Sequence, residues 1–171
     1  MNAAAPLLVI GYGNPGRQDD GLGPAFADAL ARLGLPGVQV DSDYQLNVED
    51  AAAAAACERV LFVDADSAGP APFSLQRLAP APDGASFSTH SVRPEAVLAL
   101  AKGLFGAEPE PWLLGIRGYQ FNEFGEGLSA QAARNLAAAL DWARDALPRR
   151  ALAPIRASAA DPAATSEEGD A

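Results

Sequence analysis

The chain has 171 residues, 49% hydrophobic and 7% aromatic, with 22 acidic side chains against 12 basic ones and a net charge of −10. That length fits one domain with a full core, and the charge disfavours phosphate backbones and anionic lipid surfaces, so neither nucleic acid nor membrane is expected as a partner. Cys57 is the sole cysteine, which excludes an intrachain disulfide, and neither a long apolar run nor a signal-like start at Met1-Asn2-Ala3-Ala4-Ala5-Pro6 is present, so a cytoplasmic location is expected.

Leu7-Leu8-Val9-Ile10 reads as a buried strand. It runs into Gly11-Tyr12-Gly13-Asn14-Pro15-Gly16, which matches GxGxxG letter for letter. A dinucleotide site needs a helix opening at the last glycine, so that free N–H groups meet a pyrophosphate. Here Arg17-Gln18-Asp19-Asp20 follows instead, and two carboxylates stand where a phosphate would bind. The loop therefore suits a cation better than a dinucleotide.

Leu22, Phe26, Ala29, Leu30 and Leu33 recur at helical spacing and stop at Gly34 and Pro36. Val38 to Asp41 alternates as a short strand, and Asn47 is the expected N-cap of an alanine-rich helix. Arg59-Val60-Leu61-Phe62-Val63, ending at Asp64, is continuously apolar, as in a strand covered on both faces. A turn at Asp66 to Pro72, a strand at Phe73 to Leu78, and a loop from Ala79 to Val92 come next. A helix from Pro94 to Gly106, a strand at Trp112 to Ile116, a Gly-rich loop from Gly118 to Gly127 and a helix from Ser129 to Leu147 complete the domain. The expectation is a single three-layer α/β domain over residues 1–150, with a twisted, mostly parallel sheet of about five strands and helices on both faces. Residues 151–171, rich in Ala, Pro, Ser and acids, read as a disordered C-terminal tail.

Ligands of such sheets gather at the carboxyl ends of the strands. That rule brings Asp20, Asp64 and His90 toward one cleft, and two carboxylates with an imidazole can share a divalent metal while leaving positions open. Ordinary roles compete with this one. Asp19 or Asp20 could cap the helix that follows, worth about 0.3–1 kcal/mol, Asp64 could bond to the turn after its strand, and His90 could be exposed and idle. A nucleophilic device would have to use His90, the only histidine, with Ser67, Ser88, Ser91 or Cys57. Paired carboxylates among Asp19, Asp20 and Asp64 are a further possibility.

Taken together, Gly11-Tyr12-Gly13-Asn14 through Asp19-Asp20-Gly21-Leu22-Gly23, Val63-Asp64-Ala65, and Ser88-Thr89-His90-Ser91 resemble the hydrogenase maturation proteases over about residues 7 to 147. The resemblance implies a cytoplasmic endopeptidase, aspartyl-type or metal-dependent, that removes a short C-terminal extension from the nickel-loaded precursor of a nickel–iron hydrogenase large subunit. It assigns Asp20, Asp64 and His90 as the catalytic and metal-binding trio, with Asp20 rather than Asp19 as ligand. Nickel is implied as the metal, carried by the substrate. One imidazole and two carboxylates should hold zinc weakly, which suits a metal arriving with the precursor. A monomer is expected.

The chain departs from the usual family pattern in two places. Asp41-Ser42-Asp43-Tyr44-Gln45-Leu46 stands where many members have a Gly-Thr loop, and Asn14-Pro15-Gly16 replaces an apolar filling. Tyr119 to Phe124 offers aromatics at the cleft edge that could grip a substrate, with core packing expected for at least one Phe. Gly13-Asn14-Pro15-Gly16 also resembles peptidyl-tRNA hydrolase, but the Thr-Arg-His-Asn-type segment of that enzyme is absent. A nickel-sensing chaperone that binds the precursor without cutting is the non-enzymatic alternative.

Overall fold

A computed structural model of the chain describes residues 6–79 and 92–156. Five strands, β1 (Leu7–Tyr12), β2 (Val38–Asp43), β3 (Arg59–Asp66), β4 (Phe73–Arg77) and β5 (Glu110–Arg117), form one sheet in the order β2-β1-β3-β5-β4. All neighbours pair in parallel except β4, which returns antiparallel along β5 as an edge strand. Among the described residues four α-helices, α1 (Leu22–Leu33), α2 (Glu49–Ala55), α3 (Pro94–Phe105) and α4 (Ala130–Ala146), cover the two faces.

The uninterrupted apolar runs have their expected cause. In β1, Leu7 and Val9 join Phe26, Leu30 and Ala143 on the α1/α4 face, while Leu8 and Ile10 join Ala51, Ala54 and Val97 on the α2/α3 face. β3 divides in the same way, Leu61 and Val63 against Val60 and Phe62. Each strand is buried on both sides, so no polar alternation survives in its sequence. Helix ends follow the sequence signals as well. Gly34 and Gly106 adopt left-handed conformations after α1 and α3, and the Asn47 side chain accepts the N–H groups of Glu49 and Asp50 while Asp50 accepts that of Asn47, a reciprocal cap for α2.

The glycines of the first loop serve close packing. A Cβ on Gly23 would lie 2.3 Å from the Tyr12 carbonyl oxygen and 2.6 Å from that of Val63, and one on Gly11 would lie 2.2 Å from the Gly23 oxygen. The first turn of α1 therefore rests directly on the ends of β1 and β3. In an unconstrained helix Gly→Ala gains up to about 1 kcal/mol; here Gly23→Ala is expected to lose about 1–3 kcal/mol through overpacking. Urea unfolding checks this, and a variant as stable as the parent would mean that α1 can lift away without penalty.

Two boundaries differ from the sequence reading. β3 does not stop at Asp64, because its ladder with β5 continues through Asp64↔Gly115 and Ala65↔Ile116 to Asp66↔Arg117. The domain also runs past residue 150. Ile155 and Leu75 exchange backbone hydrogen bonds of 2.8 Å in each direction, and Leu152 and Ile155 pack on the core, so residues 151–156 cover the outer edge of β4. The remainder of the expected tail, residues 157–171, lies outside the described residues. No helix among the described residues is long and apolar enough to cross a membrane.

Candidate active site

The loop after β1 and the loop after β5 meet above the carboxyl ends of the central strands. Gln18 N–H donates to the Gly125 carbonyl and Gly125 N–H to that of Gly16, while Asp19 N–H donates to the Gln120 carbonyl. Residues Gln18–Gly21 form a single 3-10 turn before α1. The two adjacent carboxylates of that turn part company. Asp19 points inward, with no exposed surface, and its oxygens accept from Ser129 N–H at 2.7 Å, Ser129 Oγ at 2.7 Å, Tyr119 N–H at 2.8 Å and Gln120 N–H at 2.9 Å. It does not cap α1; it fastens the β5 loop and the start of α4, where Ser129 Oγ in turn accepts from Ala132 N–H.

Asp20 faces the cleft, with Oδ2 held by Asn14 N–H at 2.8 Å, and the Asn14 side chain is fixed by Gly16 N–H at 2.9 Å. A Cβ at Gly13 would fall 2.1 Å from the Asp20 carbonyl oxygen, and Gly13 has φ of 144°, so glycine is what allows this approach.

Asp64 lies across from Asp20 on β3. Burial pushes its carboxyl up to about 6, with the Asp20 charge adding to the rise, while bonds from Ala65 N–H and the Tyr12 hydroxyl oppose it. Burial, and then the Asp64 charge, hold the Tyr12 hydroxyl far above its ordinary range, so it stays a proton donor to Asp64. Of the stretch from Ala65 to Gly69, Asp64 takes the Ala65 N–H, which still belongs to β3. Asp66 serves the turn that follows, accepting from Ala68 and Gly69 N–H at 3.0 and 2.9 Å.

Asp20 and Asp64 line one cleft of about 600 Å³ together with Ser67, Arg117, Tyr119 and Asn122. Neither acid has an ion-pair partner among the described residues. Two neighbouring carboxylates, neither of them ion-paired among the described residues and one of them with its proton affinity raised by the other, have the donor chemistry of a divalent metal site. His90, the third member of the expected trio, lies outside the described residues, as do Ser88 and Ser91. Among the described residues no three metal-ligating side chains converge. Of the nucleophile candidates, Ser67 lines the cleft, while Cys57 is packed in the core beneath α2.

A cavity of about 690 Å³ at the opposite end of the sheet is lined by Leu78, Leu98, Pro109 and the ion-paired Glu108 and Glu110. Both of its acids are ion-paired, and it lies away from the strand ends where ligands of such sheets gather.

The structure brings Asp20 and Asp64 into one cleft, as the sequence predicts, and adds Arg117 to its lining, with Tyr12 bonded to Asp64 and Asn135 bonded to Tyr119 as supports, roles the sequence does not single out. Arg117 closes β5 and Asn135 lies on α4; nothing in an apolar run or a helical repeat marks the first as a cleft residue or the second as its support. Tyr119 and Phe124 are exposed, Phe124 at 83% with the Arg17 guanidinium 5.2 Å from its ring centre, while Phe121 is half-buried in the cleft lining.

No protein-family model and no curated protein matches the sequence. Solved structures do match. A hydrogenase 2 maturation peptidase from Thaumarchaeota archaeon SCGC_AB-539-E09 is 26% identical, with 83% of this chain aligned to 97% of that one at a TM-score of 0.60. The [NiFe] hydrogenase maturation protease HycI of Thermococcus kodakarensis KOD1 is 23% identical over 80% of this chain and 88% of its own, with a TM-score of 0.61. The hydrogenase maturating endopeptidase HybD of E. coli shares the fold at a TM-score of 0.65 and 20% identity, over 88% and 96% of the two chains.

Proposed function

We propose that this chain, whose structure bears out its resemblance to the hydrogenase maturation proteases, is a processing endopeptidase. Its proposed substrate is the nickel-loaded precursor of a nickel–iron hydrogenase large subunit, from which it removes a short C-terminal extension. The observation that carries the reading is the pairing of Asp20 and Asp64 in one cleft, mutually repelling and without an ion-pair partner among the described residues.

In this reading Asp20, Asp64 and His90 hold the nickel that arrives with the substrate. The metal supplies alignment of the scissile bond and polarisation of its carbonyl. The chain's own residues do the rest. Asn14 N–H fixes one oxygen of Asp20, Tyr12 donates to Asp64, and the wall from Gly118 to Asn122 receives the peptide. A site of two carboxylates and one imidazole binds free zinc weakly, so the protease stays idle until a loaded precursor completes it.

Incubation with nickel-loaded and nickel-free precursor, followed by intact-mass measurement, tests the reading. Loss of the C-terminal extension from the loaded form alone is the expected result; stable association without mass loss would instead indicate a chaperone. Asp20→Asn retains an acceptor for Asn14 N–H but not the charge. It is expected to fold normally and to slow processing about 100-fold or more, since even residues that only orient metal ligands cost about 10–100-fold when replaced. Trimming at the parental rate would remove Asp20 from the mechanism.

A further inference from the structure

Arg117 stands in the same cleft as the two acids, yet it serves neither. Its guanidinium is fixed in place. Nε donates to the Gly118 carbonyl at 3.1 Å, Nη1 donates to the Gly69 carbonyl at 2.7 Å, and the group lies 5.0 Å from the centre of the Tyr119 ring. Tyr119 is held in turn, because Asn135 Nδ2 donates both to its hydroxyl at 3.2 Å and to the Arg117 carbonyl at 3.0 Å.

A guanidinium has five N–H donors, and among the described residues these two bonds leave Nη2 and one Nη1 hydrogen uncommitted. Main-chain carbonyls and an aromatic face orient a cation without neutralising it. No carboxylate among the described residues pairs with Arg117, although the chain carries 22 acids against 12 bases. Asp66, its register partner on β3, gives Oδ1 to the turn that follows. An oriented, unneutralised fork beside a peptide-sized cleft matches the planar geometry of a carboxylate.

We propose that Arg117 is a specificity-determining residue that binds a carboxylate of the peptide substrate beside the Asp20 and Asp64 pair. The inference rests on the peptidase reading and adds to it a chemical requirement on the substrate. That carboxylate belongs either to an acidic side chain near the cut or to the free C-terminus of the extension. The acid pair takes the cationic part of the substrate and Arg117 the anionic part, so a precursor is read by two opposite charges at once.

The full chain and its Arg117→Lys and Arg117→Gln variants are assayed on nickel-loaded precursor. The same proteins are assayed on precursors whose acidic residues near the cut are replaced singly by their amides, and on one ending in a C-terminal amide. Arg117→Gln is expected to raise KM about 10- to 100-fold, the range for a lost hydrogen bond to a charged group, with kcat within about threefold. Arg117→Lys, which keeps the charge but not the fork, should fall between. The parent enzyme should lose a comparable factor on one carboxylate-free precursor, which identifies the source, and Arg117→Gln should lose nothing further on it. An unchanged KM, or an equal penalty on every precursor, would overturn the proposal and leave Arg117 as a brace for the turn at Gly69. If the parent cuts no precursor, the peptidase reading fails separately. Titration of a fluorescently labelled extension peptide, as carboxylate and as amide, then decides: a preference for the carboxylate lost in Arg117→Gln supports the site, and equal binding overturns it.

Discussion

Asp64→Asn is expected to make the protein more stable at pH 7 and inactive. Burial and the neighbouring Asp20 raise the Asp64 carboxyl from 3.8 to about 6 in the folded chain, so at neutral pH the fold carries a charge it solvates poorly. The sign follows from proton linkage. Between about pH 4 and 6 the folded state binds the proton more tightly than the unfolded one, so stability falls as pH rises through that window and stays lower above it. A tenfold difference in proton affinity corresponds to about 1.4 kcal/mol, and allowance for residual solvent contact leaves about 2 kcal/mol to be recovered. Asparagine can still accept from Tyr12 and Ala65 N–H, so the gain should appear as a rise in thermal midpoint of roughly 5 °C. Urea unfolding of both proteins with a chelator present should show no difference near pH 4 and the full difference at pH 7. A variant equal to or less stable than the parent at neutral pH would mean that the Asp64 charge is not strained. Such a trade of stability for a repelling acid pair is what the proposed reading of the cleft calls for.

The parts of the molecule legible in the sequence are those set by local rules. β1 and β3 can be read from their apolar runs because both faces are buried, and α1 and α3 from Gly34 and Gly106 because only a left-handed residue ends them so. Roles fixed by partners distant in the chain cannot be read. Which of Asp19 and Asp20 turns inward is decided by Tyr119, Gln120 and Ser129, about a hundred residues away. The end of β3 is hidden for a related reason: the apolar run ends at Val63 where the strand enters the polar cleft, while its ladder with β5 continues. Residues 151–156 cover β4 through the main chain of Ile155, and main-chain pairing leaves no trace in composition. Arg117 carries no sequence signal because its proposed role rests on the lack of a carboxylate partner among the described residues.

Asp19→Ala is expected to be the most damaging of these substitutions to the fold. The Asp19 carboxylate has no exposed surface, and burial alone would raise its proton affinity. Bonds from Ser129, Tyr119 and Gln120 nevertheless outweigh that effect and hold it below the usual range. Alanine would leave three main-chain N–H groups and one hydroxyl facing a void, at about 1–3 kcal/mol for each unsatisfied group, less whatever water recovers. A net loss of about 4 kcal/mol is expected by urea unfolding. Asp19→Asn would be a poor rescue, because Oδ2 takes three donors and an amide nitrogen at that position would meet them with donors of its own. A carboxyl held below its ordinary range contributes stability that is fully present above the unfolded value, about 3.8, and fades as the pH falls through the folded value. The variant should therefore also lose part of the parent's acid-limb slope. Amide exchange should quicken first at Tyr119, Gln120 and Ser129, ahead of β1 and β3. Unchanged exchange there, with parental stability, would refute the role. The same three amides hold the wall that carries Tyr119 beneath Arg117, so a weakened clamp would loosen the cleft at its cationic side while Asp64, on β3, stays in place.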